Sequence, residues 1–170
     1  MTQKYINNYF LILFSLIPIS IIVGPTVSLT NIVLIDLSFL VLMIYLKDFS
    51  FLRSDIFKYL IILYLYLIFN SFISVDKEIG LYRNFGFIRI IILFVAINFF
   101  LKDKKFLKKL IYFWLFTISI VLIDVFFESF TGKNLLGYGE LYGRRVVSFF
   151  KDEPIVGGYI NALYLILIGF

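Results

Sequence analysis

The chain has 170 residues, a formal net charge of +5 at pH 7, and neither cysteine nor histidine. Hydrophobic residues make up 62% and charged residues 16%, against roughly half and a quarter in soluble domains. This composition excludes a large soluble core, disulfides, thiolate nucleophiles, imidazole bases and Cys/His metal sites.

The apolar residues come in long blocks, and the mean hydropathy is +1.00. That pattern reads as an all-α, polytopic transmembrane bundle of about six spans in one membrane domain. The first span is 9–23, an uncleaved helix because more spans follow at once. Gly24-Pro25 breaks it, and 26–30 reads as an uncharged turn. The second span, 31–46, carries Asp36. A basic loop, 47–58, leads into the third span, 56–75. A short polar turn at 76–80 precedes the fourth span, 81–101, which contains Arg83 and Arg89. The most basic loop, 102–109, leads to the fifth span, 110–127. A polar stretch, 128–154, follows, and a sixth span is expected over 155–170. The chain ends inside the apolar run LYLILIGF. That reads as truncation at the C-terminus, with a short final helix as the alternative.

The basic residues show how the spans are oriented. Lys4, the 47–58 loop and the 102–109 loop hold most of the Lys and Arg, so this side is cytoplasmic and the N-terminus lies inside. The 128–154 stretch then emerges on the outer face. The net charge is thus a topology signal, and no basic stripe with interleaved aromatics points to nucleic acid.

Asp36, Arg89 and Asp124 are the clear cases of a charge within a span, where each costs a few kcal/mol unless it has a partner or water. At 1.5 Å per residue, Asp36 lies about 9 Å below the outer end of its helix. Asp124 lies about 6 Å below Glu128, and Arg89 between about 6 and 15 Å deep. All three fall in the outer half of the membrane, so Arg89 is expected to pair with Asp124, with Asp36 nearby. The plainer alternative is that these charges only lock helix packing.

Residues 124–159 read DVFFESFTGKNLLGYGELYGRRVVSFFKDEPIVGGY. Asp124 and Glu128 stand one helical turn apart, so both carboxylates share a face. They are weak candidates for catalysis, since paired carboxylates serve glycosyl chemistry and a helix end reaching water equally carries acids. Arg144 and Arg145 run against the charge bias of the outer face. Guanidinium forks hold phosphate oxygens bidentately, which suits a lipid diphosphate, or else a headgroup. Asp152, Glu153 and Pro154 make a helix start signal.

This stretch resembles the segment between the fifth and sixth spans of the O-antigen ligase and polymerase superfamily. The family pattern is Asp, then Gln four residues on, then Gly-x-Asp/Asn-x-x-Gly, then Arg-x-x-Gly-x-Phe-x-Asp-Glu or Asp-Pro, then Gly and an aromatic. Here Asp124, Gly132, Asn134, Gly137, Arg145, Phe150, Asp152, Glu153, Gly158 and Tyr159 fit. Glu128 stands where Gln is usual, Ser148 replaces the motif glycine, and Lys151 replaces a small or amide residue. The earlier stretch GPTVSLTNIVLIDL is similar to the family's first hairpin.

The resemblance implies a GT-C-like glycosyltransferase of the bacterial inner membrane. It would polymerise or ligate undecaprenyl-diphosphate-linked glycan, such as O-antigen, at the periplasmic face. No cofactor, nucleotide sugar or metal is implied. The expected partners are the lipid-linked oligosaccharide, membrane lipids and other proteins of polysaccharide assembly. Arg145 is the best diphosphate-binding residue on this reading, followed by Arg144, Arg89 and Arg83. The family has more spans and a large later loop, so the chain is expected to be an N-terminal portion, inactive alone. The competing readings are a fragment of a transporter and a non-catalytic structural membrane protein.

Overall fold

A computed structural model describes residues 2–139, 145–151 and 155–169. Every regular element among them is helical: α1 Thr2–Val23, α2 Pro25–Leu46, α3 Asp55–Ile73, α4 Lys77–Phe85, α5 Ile88–Leu101, α6 Lys104–Thr131 and α7 Val156–Ile168. Single 3-10 turns occur at Ser50–Arg53 and Ser148–Phe150. Five segments are long and apolar enough to cross a membrane: Lys4–Val23, Pro25–Leu46, Asp55–Ile73, Lys77–Leu101 and Lys104–Thr131. The protein is therefore all-helical, with the build of a multi-pass membrane protein. The expected sixth span, 155–170, corresponds to α7, an apolar helix described over 13 residues.

Several helices run past the limits set by hydropathy, because hydrogen bonding continues into polar flanks. α2 begins at Pro25, not at 31. Proline suits the first helical position, where its missing N–H has no partner to lose. Ser28 and Thr30 return their hydroxyls to the Pro25 and Thr26 carbonyls at 2.9 and 2.8 Å, so the expected turn is helix. Likewise α6 starts at Lys104, which puts most of the expected 102–109 loop on its first turns. The fourth span is interrupted where a single helix was expected. The Asn84 amide leaves its own helix to donate to the Leu67 carbonyl at 2.9 Å and Ser71 Oγ at 2.6 Å, both on α3. The backbone then passes through i→i+3 turns, Phe87 N–H to Asn84 and Ile90 N–H to Phe87, separating α4 from α5.

The chain divides into two compact units, Met1–Asn31 with Lys104–Phe170, and Ile32–Asp103. In the first, α1 packs on α6, and α6 on α7 and on the Ser148–Phe150 turn. Pro18 lies inside α1. It has no N–H, so the Phe14 carbonyl four residues back loses its helical donor. The only tryptophan, Trp114 of α6, supplies one: its indole N–H reaches Phe14 O at 3.1 Å. Tyr159 O–H donates to the Pro18 carbonyl at 3.3 Å, and the Asn31 amide to Leu13 O at 3.2 Å. Phe14 meets Phe106 edge-on at 6.0 Å between centroids. In the second unit α3 packs against α4, α5 and the Ser50–Arg53 turn. Ser54 caps α3 and Asp76 caps α4.

Candidate functional site

The site grows from the end of α6. Asp124 and Glu128 lie on one helical face, and both are sealed from solvent, at 0% and 4% exposure. The helix stops at Gly132, whose φ of +80° suits a residue without a Cβ. Its N–H returns to the Glu128 carbonyl at 2.8 Å. Asn134 builds the next turn. Its Oδ1 accepts the N–H groups of Leu136 and Tyr138 at 3.0 and 2.7 Å, as amide side chains do when they mimic a backbone turn.

The two acids then hold the loop. Asp124 Oδ1 accepts the Leu135 N–H at 2.9 Å, and Asp124 Oδ2 the Ser148 hydroxyl at 2.6 Å. Glu128 Oε1 accepts the Val147 N–H at 3.0 Å, and Oε2 the Ser148 N–H at 2.6 Å. The Asn134 amide donates to the Ser148 carbonyl. Ser148 is thus bound through its N–H, its hydroxyl and its carbonyl, with 0% exposure. Gly139 passes so close that a Cβ would stand 2.9 Å from Glu128 Oε1 and 2.8 Å from the Gly132 carbonyl. No larger residue fits there without displacing the anchor.

This geometry bears on the candidate residues. All four carboxylate oxygens of Asp124 and Glu128 accept a hydrogen bond from the loop. Their visible work is anchoring, and neither turns an oxygen toward solvent. Within its own unit Asp124 accepts from Leu135 and Ser148 of the loop, because buried N–H groups must find acceptors and an irregular loop folded against a helix end has several to satisfy. Arg89, the partner expected for it, belongs to the other unit. Arg145 is exposed and lies three residues before the anchored Ser148. Arg144, Asp152, Glu153 and Pro154 lie outside the described residues. Arg83 and Arg89 belong to the other unit. Arg83 is exposed in the last turn of α4, and Arg89 is half-buried in the first turn of α5. In that unit Asp36 is buried, with neither carboxylate oxygen hydrogen-bonded among the described residues, and the charge of Arg89 acts on it.

A cleft of about 390 Å³ lies beside the loop in its own unit, lined by Ile21 to Pro25, Ser28, Phe150, Lys151 and Ile155. Among the described residues its walls are apolar apart from Ser28 and Lys151. Sequence reasoning missed the part played by Ser148, which it counted only as a departure from a motif, and the donor role of Trp114. The Asn-x-x-Gly spacing of Asn134 and Gly137 was the one local signal for the turn. No protein-family model, curated protein or solved structure matches the chain.

Proposed function

We propose that the chain is part of a GT-C-like glycosyltransferase of the bacterial inner membrane. It polymerises or ligates glycan carried on undecaprenyl diphosphate at the periplasmic face, with the N-terminus in the cytoplasm. One backbone observation carries the reading. The two loop positions where the chain departs from the resembled motif, Ser148 and Lys151, have φ of +50° and +55°. The motif has glycine at the first and a small or amide residue at the second. Glycine, and to a lesser degree asparagine, tolerate positive φ, which costs other residues about 1–3 kcal/mol. The loop therefore has the backbone that the motif's residues suit, although this chain carries other side chains there.

The chemistry follows from the charges. An acceptor hydroxyl bonds to the anomeric carbon as the bond from that carbon to the diphosphate oxygen breaks. The diphosphate leaves with the electron pair, and the hydroxyl proton passes to water or to the leaving group. Arg145 meets the charge that develops on the diphosphate. Its backbone lies two residues before Val147, which Glu128 anchors, so the loop fixes where its charge is presented. The cleft walled by Ile21, Ile22 and Phe150 offers apolar surface to a polyprenyl chain.

In the full-length protein, Arg145→Ala lowers long-chain glycan at least about tenfold while membrane insertion is unchanged. Arg145→Lys keeps the charge but not the fork and recovers only part of it. Glycan of normal length from Arg145→Ala overturns the proposal. It would favour the second reading, a non-catalytic membrane protein, for which the four occupied carboxylate oxygens already argue.

A further inference from the structure

The second unit contains a cleft of about 250 Å³ where α2 ends, α3 begins and α5 ends. Its interior is aromatic. Phe39 and Phe94 form the floor, and Phe57 and Phe99 line the walls. Phe39 and Phe99 meet at a steep angle, 5.8 Å between centroids. Of all the lining residues only Asp48 and Lys102 are charged, and both sit at the rim, just past the last residues of α2 and α5, Leu46 and Leu101.

The depth follows from helix geometry. Phe39 and Phe94 each lie seven residues before the end of their helix, so the floor is about 10 Å below the rim. α2 and the segment Lys77–Leu101, made of α4 and α5, are each long and apolar enough to cross a membrane. The rim then lies where headgroups are, and the floor where acyl chains are. A cleft of this volume has no room for a helix, about 10–12 Å across with its side chains, but it takes one end of a hydrocarbon chain.

The rim selects among amphiphiles by charge. One carboxylate and one ammonium stand on the same edge, so a simple anion gains at Lys102 and loses at Asp48. A zwitterion satisfies both. Asp48 is held by the Ser50 N–H, which donates to its Oδ1 at 3.0 Å. That contact, then the Ser50 hydroxyl, and lastly the Lys102 charge keep its carboxyl below the usual carboxylate range, so it is ionised at neutral pH. A carboxylate has about four acceptor sites, and Ser50 leaves some of them open. A primary ammonium has three N–H donors to fill them, whereas a quaternary ammonium has none.

We infer that this cleft binds an aminophospholipid of the phosphatidylethanolamine type, with an acyl end on Phe39 and Phe94, its phosphate at Lys102 and its ammonium at Asp48. The cleft is lined by residues of the second unit, and the inference does not depend on the proposed glycan chemistry.

Competition measured by native mass spectrometry tests it. The full chain is stripped of lipid in detergent, then offered vesicles of equimolar phosphatidylethanolamine, phosphatidylglycerol and phosphatidylcholine. The expected result is retention of the ethanolamine lipid about threefold over each of the others, the scale of one exposed ion pair. Lys102→Glu weakens retention of all three lipids, which share the phosphate. Asp48→Asn keeps binding but makes ethanolamine and choline lipids equal. Circular dichroism of each variant separates loss of the site from loss of the fold, and Phe39→Leu, which shrinks the floor without changing charge, provides a second variant that weakens all three lipids alike. Equal retention of the three lipids by the unaltered chain, preference for phosphatidylglycerol, or ethanolamine selectivity that survives Asp48→Asn overturns the inference.

Discussion

At the scale of single residues, the two acids of α6 look alike but are not interchangeable with their amides to the same degree. Glu128 accepts from two backbone N–H groups, which can only donate. A glutamine keeps one acceptor and turns its NH2 group onto a donor. Glu128→Gln therefore costs about 2–3 kcal/mol through a buried N–H left without an acceptor. Asp124 accepts from one N–H and one hydroxyl, and a hydroxyl can reverse its role. Asp124→Asn therefore costs only about 1 kcal/mol. Thermal unfolding followed by Trp114 fluorescence ranks the two variants, and equal costs would mean that the loop is not held in this way. The same geometry gives Glu128 a structural reason to be an acid where the resembled family has glutamine. The sequence carried both acids and their spacing in plain view. Their partners were hidden, because 11 to 24 residues separate each donor from its acceptor and no local pattern encodes such a pairing.

At the scale of elements, α1 and α6 are joined by an exchange of donors. Pro18 removes one from Phe14, and Trp114 supplies another. Trp114→Phe leaves the Phe14 carbonyl without it and costs about 1–3 kcal/mol. Adding Pro18→Ala returns a backbone N–H four residues after Phe14. The double variant should recover about 1 kcal/mol of that loss, well beyond additivity. Far-UV circular dichroism melts give both values; additive effects would show that the indole contact is incidental. Helix existence was legible from hydropathy, since blocks of this length have few alternatives. Helix ends were not. The limits of α2 and α6 depend on proline placement, hydroxyl back-bonding and continued backbone pairing through lysines, which an apolar window ignores. The break between α4 and α5 depends on Asn84 reaching α3, a contact that exists only once the helices have packed.

For the molecule as a whole, the absence of cysteine makes topology directly testable, because one introduced thiol reports one position. If the five segments long and apolar enough to cross a membrane all do so before the 132–139 turn, and the basic loops lie inside, Lys133→Cys in intact cells should react with an impermeant maleimide added from outside. Ser50→Cys should react only after the membrane is opened. The reverse pattern would put Arg145 in the cytoplasm and remove the basis for periplasmic glycan transfer. The sequence by itself determined that this protein is helical, rich in spans, free of thiol and imidazole chemistry, and polar mainly between residues 128 and 154. Composition and hydropathy are sums over local windows, and those properties are local. Only the tertiary structure decided that Asp124 and Glu128 anchor backbone, that Ser148 is bound through all its polar groups, and that Phe39, Phe94 and Phe99 enclose a cleft with Asp48 and Lys102 at its rim. Each of these joins residues far apart in the chain, and such pairings are fixed by packing and by the need of buried polar groups for partners, which no window of sequence contains.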